Sequence, residues 1–273
     1  WYRNDRNPQP IFGTSANLSA GVSVVFRDLN HTHNEYKYSN RIYTDESATV
    51  KTSDIDLLVP NPTFLKIAAK LFGPKLNNRI KKGIFGIESN FVEQNPDKVS
   101  DKASDWGEPI RLLTNDQSGS AGRAQWYWTD KTTLPKGGEY VPPFKIVMAS
   151  AYPKKTLASS GSSIDKVRLR VKELFEIMPQ NSAFGRSRLA LFMSDNKNEC
   201  DNFMKYTQTK FFAVLTLQEP NKSSSFGYVI PDQDFSNNSD IDWSKDLTEI
   251  DRQLFQKYNV TEEEQKFLGV VPH

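Results

Sequence analysis

The stretch KYTQTKFFAVLTLQEP at residues 205–220 decides how the C-terminal half of this chain is interpreted. Together with the residues just before it, this stretch repeats side chains at the spacing of one helix face, formed by Cys200, Phe203, Met204, Thr207, Phe211, Val214 and Leu215. Asp195 and Asn196 are candidate N-caps, and Pro220 ends the helix. Because acidic residues interrupt its polar face, the pattern predicts a single core helix and not a membrane-binding one.

Two shorter helices are expected further along the chain, near 246–258 and 261–269. Thr261 and Glu264 have the spacing of a capping box at the start of the second one. We interpret the phenylalanines of this half as core residues, namely Phe203, Phe211, Phe212 and Phe235.

The first two thirds of the chain have the pattern of strands, loops and one helix. A valine-rich segment at 20–28 predicts a buried strand, with 36–43 as its partner. A helix is expected after Asn61, with Pro62 in its first turn and Gly73 at its end. Short apolar pieces between turn clusters predict a β-rich middle, namely FGIESNF (85–91), PIRLLTN (109–115), AQWYWTD (124–130), FKIVMASAY (144–152) and SRLALFMS (187–194).

Composition limits the class of protein. The 273 residues suit one large domain or two small ones, and a mean hydropathy of −0.61 with 25% charged residues is typical of a soluble globular protein. No apolar run approaches the roughly 18 residues of a membrane span. The single cysteine, Cys200, excludes an internal disulfide and a cysteine-cluster metal site, and it favours a reducing cytoplasm. Because the chain begins at Trp1, we expect it to be a fragment of a longer protein.

Charge is unevenly distributed along the sequence. Residues 123–188 carry twelve Lys and Arg against five Asp and Glu, whereas residues 189–273 carry eight against fourteen. A basic middle beside an acidic tail either presents one positive face to a polyanion or is ordinary solvated surface.

Three motifs suggest catalysis, and each has a stronger structural explanation. VPNPTF (59–64) resembles the Asn-Pro-Pro-Tyr/Phe turn of amino-group methyltransferases, but a capped helix start explains the same residues. Glu264-Gln265-Lys266 matches half of a nuclease site, yet it lies in the predicted capping box. His31 and His33 form a His-x-His pair without a nearby third histidine, and their segment is typical of a hairpin loop. We therefore expect no catalytic residue and no metal site in this chain.

An ordered series in the C-terminal half resembles one family. KYTQTKFFAVLTLQEP is followed by VIPDQDF, IDWSK and EIDRQLFQKYNVTEEEQKFL. The series is similar to the end of bacterial restriction–modification methylases that fuse an adenine-N6 methyltransferase to a TaqI-like specificity domain. The matching residues are Tyr206, Thr209, Lys210, Phe211, Phe212, Ile230, Pro231, Asp232, Gln233, Asp234, Phe235, Asp242, Trp243, Leu254, Phe255, Gln256, Lys257 and Tyr258. AGVSVVFRD and FGIESNF resemble more weakly a late methyltransferase strand and the beginning of the specificity domain.

This resemblance implies a fold, a domain division and a function. Residues 1–75 would be the trailing edge of an α/β methyltransferase core with a connecting helix. Residues 76–273 would be a β-rich target-recognition domain with C-terminal helices, α+β in class. Its partners would be double-stranded DNA and the upstream methyltransferase domain of the same polypeptide, with no membrane. S-adenosylmethionine, together with Mg²⁺ where a nuclease is fused, would belong to the parent type II enzyme, so we expect this fragment to hold no cofactor and to be non-catalytic alone.

The DNA-contacting residues are expected in the variable middle of the specificity domain. Arg, Lys and Gln side chains supply phosphate contacts and base-edge donors, and aromatic residues lie beside them. The candidates are Gln117, Arg123, Gln125, Trp128, Lys154, Lys155, Arg168, Arg170, Arg186 and Lys222. For each cation a solvated surface role is the competing interpretation, and for Trp126 and Trp128 it is a place in the core.

Two other hypotheses stay open at this point. A protein-interaction module would use the acidic tail and exposed aromatics to bind a partner subunit, without affinity for DNA. A self-contained nucleic-acid enzyme would bind S-adenosylmethionine or a metal ion through NPTF or the histidine pair.

Overall fold

The structure of the chain is a computed structural model that describes residues 35–40, 46–51, 62–115, 124–149, 164–218 and 226–268. The predicted strand at 20–28, the histidine pair and Asn61 lie outside these ranges. The described strands are β1 Glu35–Asn40, β2 Glu46–Lys51, β3 Lys81–Lys82, β4 Pro109–Asn115, β5 Ala124–Asp130, β6 Phe144–Ala149, β7 Phe175–Met178, β8 Ser182–Phe184 and β9 Arg188–Ser194.

The described α-helices are α1 Pro62–Ala68, α2 Phe91–Gln94, α3 Ile164–Lys172, α4 Lys197–Thr207, α5 Lys210–Gln218, α6 Leu247–Lys257 and α7 Glu262–Phe267. Short 3-10 turns lie at Leu76–Arg79, Pro96–Lys98, Ala103–Asp105, Lys131–Thr133 and Gly138–Tyr140.

The strands form three sheets. β1 pairs with β2 in an antiparallel hairpin, and β3-β9-β6-β7 form an antiparallel four-stranded sheet. β5-β4-β8 form a mixed three-stranded sheet, in which β4 is antiparallel to β5 and parallel to β8. β1 and β2 lie close in sequence and form a local hairpin, whereas the expected partner of 36–43, residues 20–28, lies outside the described residues.

The four-stranded sheet separates two hydrophobic cores. Ile146, Met148 and Leu191 contribute to the core on its helical side, whereas Val147 and Ala190 contribute to the core under the three-stranded sheet. Alternate residues of a strand point to opposite faces, so a sheet buried on both sides supplies both cores. The predicted α+β class is confirmed in this mixed arrangement.

Helix α1 belongs to the larger, helical core. Its residues Phe64 and Ile67 are buried there with residues of α4, α5 and α6. Just beyond α1, the Lys70 ammonium donates to the Asn259 carbonyl at 3.0 Å and pairs with Glu264. The chain leaves this region at Gly73, whose φ of 86° is in the left-handed region that favours glycine. The helix predicted at 61–73 is therefore present, although it is shorter than expected.

The stretch at 205–220 forms two helices, not the single one expected. α4 begins after Asn196, whose side chain accepts a hydrogen bond from the Asn198 N–H, and it ends at Thr207. α5 begins at Lys210, because the Thr209 hydroxyl accepts from the Phe212 N–H at 3.0 Å and so caps a new helix start.

A second cap for α5 comes from a distant part of the chain. The two carboxylate oxygens of Asp251, on α6, accept hydrogen bonds from the N–H groups of Lys210 and Phe211, each at 2.9 Å. Burial raises the pKa of this carboxyl to about 6, against the lowering effect of these two N–H groups. The start of α5 is thus completed by a side chain from α6.

Other expectations have mixed outcomes. The helices near 246–258 and 261–269 are confirmed, and the Thr261–Glu264 capping box is present in both directions. FGIESNF is a buried turn that leads into α2, and not a strand, since Gly86 has a φ of 68°. Helix α3 was not predicted, because its nine residues lie between turn-rich segments and bury few side chains, among them Val167 and Val171.

Candidate nucleic-acid interface

The residues of the C-terminal series pack together in the helical core. The Tyr206 hydroxyl donates to the Pro231 carbonyl at 2.7 Å, and the rings of Phe211 and Tyr258 stack with centroids 5.4 Å apart. The Gln233 side-chain amide donates to the Tyr258 hydroxyl at 2.8 Å and accepts from Lys257 at 2.9 Å. These side chains form a framework, and the core placement of Phe203, Phe211, Phe212 and Phe235 is confirmed.

The β4–β5 hairpin carries an arginine between two indole rings. Arg111 on β4 lies opposite Trp128 on β5, and its guanidinium carbon is 5.8 Å from the centroid of that ring. The same carbon lies 4.5 Å from the ring centroid of Trp126. All three side chains are partly exposed, and the described residues include no acidic partner for Arg111. The indole rings of Trp126 and Trp128 are therefore only partly buried, and they hold the Arg111 guanidinium at the surface of the sheet.

We call the end of the three-stranded sheet where Asn115 lies opposite Ala124 the hairpin end. The exposed residue Gln125 lies there, opposite Thr114. β8 approaches the same end, because the Gly185 N–H donates to the Leu113 carbonyl at 2.9 Å.

Arg186 also belongs to the hairpin end. Its N–H donates to the Ile87 carbonyl at 2.9 Å, and its guanidinium pairs with Glu88. The turn before it packs tightly on β4, since a Cβ added at Gly185 would lie 2.8 Å from Oγ1 of the buried Thr114. Close packing of the backbone therefore fixes the position of Arg186 next to the hairpin.

A carboxylate lies at the other end of the β4–β5 pair. At the far end, Asp130 lies opposite Pro109, and hydrogen bonds from the Glu108 N–H and from Thr132 lower its pKa to about 2. This carboxylate is consequently ionised at neutral pH. The Arg186 guanidinium at the hairpin end is paired with Glu88, so a polyanion that binds Arg186 has to displace this exposed carboxylate.

The structure separates some of the predicted contacts. Arg168 lies on α3, whose Val167 and Val171 are in the helical core, so Arg168 and Arg186 are on opposite sides of the four-stranded sheet. Arg170 lies on the same helix, and its side chain is outside the described part. Gln117, Arg123, Lys154, Lys155 and Lys222 also lie outside the described residues.

Four cations of the basic middle segment are paired with acidic side chains or buried in the part of the chain that the structure describes. Arg168, Arg186 and Arg188 each pair with an acidic side chain. Lys145 is fully buried, and its ammonium donates to the carbonyls of Val141 at 2.9 Å and Pro143 at 2.7 Å. Burial lowers the pKa of this lysine to about 7.

Other candidate sites are structural where they are described. Glu264 of the acid-x-lysine motif is engaged by Lys70 and by the backbone of Thr261. Within the described ranges, no group of three or more His, Cys, Asp or Glu is arranged to hold a metal ion. Burial raises the pKa of the Cys200 thiol to about 11, so it stays protonated at neutral pH. Over the same residues, no helix has the length and apolar character to cross a membrane.

Two side chains at or beside the hairpin end, Arg111 and Glu88, were not singled out in the sequence. Arg111 sits in an otherwise apolar strand piece, and Glu88 sits in FGIESNF. The sequence did contain a signal for Arg111. If PIRLLTN pairs with AQWYWTD in a hairpin, the one cation of the first strand lies on the same face of the sheet as an aromatic residue of the second. No such signal exists for Glu88, whose partner is distant in sequence.

Comparisons of the whole chain with family models, with curated proteins and with solved structures gave no match.

Proposed function

We propose that this chain is the DNA target-recognition part of a bacterial type II restriction–modification adenine-N6 methyltransferase that works in the cytoplasm. It holds duplex DNA so that the target adenine can be flipped out of the stack into a catalytic pocket. An upstream domain of the same polypeptide binds S-adenosylmethionine and transfers its methyl group. The present chain contributes recognition and no catalytic residue.

The observation that carries this proposal is the composition of the hairpin end. An exposed amide, Gln125, and an exposed guanidinium, Arg186, lie at one end of a sheet whose surface also carries Arg111 stacked on Trp126. A glutamine side chain can bond adenine at two positions in the major groove, and arginine bonds either guanine or phosphate. The hairpin end therefore offers one base-reading group and one phosphate-binding group on a rigid sheet.

Arg186 is available to DNA despite its partner. Its ion pair with Glu88 is exposed, with 61% and 57% of the two side chains accessible. Exposed pairs of this kind contribute about 0.2–1 kcal/mol, so exchange of Glu88 for a phosphate oxygen has a small energetic barrier. Binding that gains a phosphate contact should therefore weaken as salt rises.

The packing of the C-terminal series gives a second line of support. The residues that resemble the methylase family bond to one another across α4, α6 and the segment between α5 and α6. Such a network would give these residue types a common structural role in a specificity domain, because it ties two helices to the segment that contains Pro231 and Gln233. The loops of such a domain can then differ between proteins, and with them the recognised DNA sequence, while the packed framework stays the same.

The test is fluorescence anisotropy with a randomised duplex and a matched single strand at several salt concentrations. We expect duplex binding with a negative salt slope, which Arg186→Gln reduces by about one unit and Gln125→Ala weakens by about 1–3 kcal/mol on the selected site. Lys197→Gln, an exposed lysine on α4 that pairs with Asp201, is the matched control and should bind as the unchanged chain does. Absence of duplex binding at low salt would refute independent DNA recognition.

The remaining predicted contacts are tested by the same titration, as a second set of substitutions at Gln117, Arg123, Lys154, Lys155 and Lys222. Trp128 is expected to act indirectly, because its ring supports Arg111. Arg168 and Arg170 are left out of this interface because their helix, α3, lies on the helical side of the four-stranded sheet.

A protein-interaction module of a restriction–modification complex is the second candidate. It is favoured by large apolar side chains at the surface, since Phe72 and Leu169 are 58% and 59% exposed. This alternative predicts no affinity for either DNA probe together with a defined complex with a methyltransferase subunit in sedimentation experiments.

A further inference from the structure

Strand β3 places two exposed lysines at an edge of the four-stranded sheet. Lys81 and Lys82 lie opposite Ala190 and Leu189 of β9, and the other side of β3 has no neighbouring strand among the described residues. Both side chains are exposed, and neither pairs with an acidic side chain in the part of the chain that the structure describes. Because β9 begins directly after the turn that carries Arg186, this edge adjoins the hairpin end.

A third exposed lysine lies along the segment that joins β3 to the hairpin end. After β3 the chain turns at 83–86, where the Gly86 N–H donates to the Gly83 carbonyl at 3.2 Å. The stem of Lys136 packs on this turn, since a Cβ added at Gly86 would lie 3.4 Å from its Cγ and 3.5 Å from its Cε. The next residue, Ile87, accepts the hydrogen bond from the Arg186 N–H. Four cations therefore follow segment 81–87, and we call them the basic edge: Lys81, Lys82, Lys136 and Arg186.

The basic edge carries an excess of positive charge. Like the two lysines of β3, Lys136 has no acidic partner among the described residues. The acids that lie beside it along the chain are Glu88, which pairs with Arg186, and exposed Glu139 in the loop of Lys136. Four cations against two carboxylates leave two positive charges in excess, and the three lysine ammonium groups have their donors available for an anion.

We infer that the basic edge binds the phosphate backbone of duplex DNA next to the bases that the hairpin end reads, an inference that rests on the proposed function. Even fully extended, segment 81–87 would span less than about 25 Å, and each DNA strand carries a phosphate about every 3.4 Å along the helix axis. Four cations over this length can contact one stretch of backbone. An ammonium is a point charge without the planar fork of arginine, so the lysines position the duplex and read no base.

The partner is DNA and not an acidic protein segment, because the basic edge is continuous with a base-reading group. Arg186 belongs both to the basic edge and to the hairpin end, where the exposed amide of Gln125 lies. An acidic protein segment would use the positive charge but not this amide. Duplex DNA uses both, since it offers phosphates and base edges side by side.

The test is the anisotropy titration with two triple variants that change the net charge equally. One is Lys81→Gln, Lys82→Gln and Lys136→Gln together. The matched control is Lys66→Gln, Lys172→Gln and Lys266→Gln together, three exposed lysines of α1, α3 and α7, the helices that adjoin the helical core. We expect the first variant to reduce the salt slope by about two to three units and the control to bind as the unchanged chain does.

A second readout separates positioning from base recognition. The basic-edge variant should weaken binding of the selected site and of the random duplex by the same factor, because phosphates are the same in every sequence. Gln125→Ala should weaken binding of the selected site alone.

Four outcomes would overturn the inference. An equal effect of both triple variants would reduce it to a general effect of net charge, and a loss limited to the selected site would contradict phosphate binding. Unchanged binding by the basic-edge variant would leave Lys81 and Lys82 only the role of preventing edge-to-edge pairing of β3. Binding of polyglutamate without binding of duplex would assign the surface to an acidic protein segment.

The inference and the proposed function fail in distinguishable ways. If Gln125→Ala weakens binding while the basic-edge variant binds normally, the inference fails and the proposed function stands. If the unchanged chain binds no duplex at low salt, the proposed function fails and the inference fails with it. Thermal melts identify a loss of fold in a triple variant, and in that case Lys81→Gln and Lys136→Gln decide singly, each with an expected loss of about one unit of slope.

Discussion

Replacement of Lys145 by methionine should remove a pH dependence that the buried ammonium imposes on stability. Its side chain has no exposed surface, its donors reach two backbone carbonyls, and no carboxylate among the described residues forms an ion pair with it. Burial lowers its pKa from 10.5 to about 7. Between these values the unfolded chain binds a proton that the folded protein does not, so the free energy of unfolding rises with pH.

The size of this effect follows from the pKa difference. Each pH unit within the window contributes up to about 1.4 kcal/mol, and half-protonation near pH 7 reduces the first part of the rise. From pH 7 to pH 9 the free energy of unfolding should therefore increase by about 2 kcal/mol. Cys200 acts in the opposite direction, since its pKa is raised from 9.0 to about 11, but its effect begins only near pH 9.

Urea unfolding followed by tryptophan fluorescence at pH 7, 8 and 9 measures this slope. The variant Lys145→Met should show a nearly flat profile, and Lys197→Met, which alters an exposed lysine, should keep the slope of the unchanged chain. The level of stability at any one pH is not diagnostic, because the variant also removes the lysine donor from the Pro143 carbonyl and one of two donors from the Val141 carbonyl. Parallel profiles for Lys145→Met and the unchanged chain would refute the reasoning.

Two further substitutions test the packing of the fold. Gly137→Ala should lower the free energy of unfolding by at least about 2 kcal/mol, because a Cβ there would lie 2.3 Å from the Ile84 carbonyl oxygen at a φ of 75°. Gly83→Ala meets no nearby atom and has only the left-handed φ against it, so it should lower the free energy of unfolding by about 1 kcal/mol. Equal losses in urea unfolding would contradict this account of Gly137. Thr261→Ala should lower the free energy of unfolding by about 1 kcal/mol through loss of the capping box, and Thr132→Ala, whose hydroxyl donates to exposed Asp130, should change it less.

Local patterns predicted most elements of this fold but not their partners. PIRLLTN, AQWYWTD and SRLALFMS form strands as expected, because apolar runs between turn residues reflect half-buried backbone. The parallel pairing of β4 with β8 joins residues such as Leu112 and Ala183, and no short-range pattern specifies it. The break between α4 and α5 depends in part on Asp251, which lies some forty residues away, so periodicity alone favours a continuous helix.

The candidate site shows the same limit. Gln125 and Arg186 were selected for their chemistry, and the fold places both at the hairpin end. Arg168 was selected on the same grounds, yet it lies on the other side of the four-stranded sheet. Charge counted along a sequence could not predict this, because it does not show on which side of a sheet a helix packs. The position of Arg111 between two tryptophans results from strand register, which the sequence specifies only through the pairing itself.

The cap that Asp251 provides for α5 has a consequence for biosynthesis. A ribosome releases residues 210–218 well before α6, so the nascent α5 emerges with the N–H groups of Lys210 and Phe211 lacking their carboxylate acceptor. The apolar side chains of this helix then stay exposed, or in a loosely collapsed state, until α6 leaves the exit tunnel. Chains arrested before residue 251 should accordingly depend on chaperones, and protease resistance should appear in one step once α6 has emerged from the ribosome.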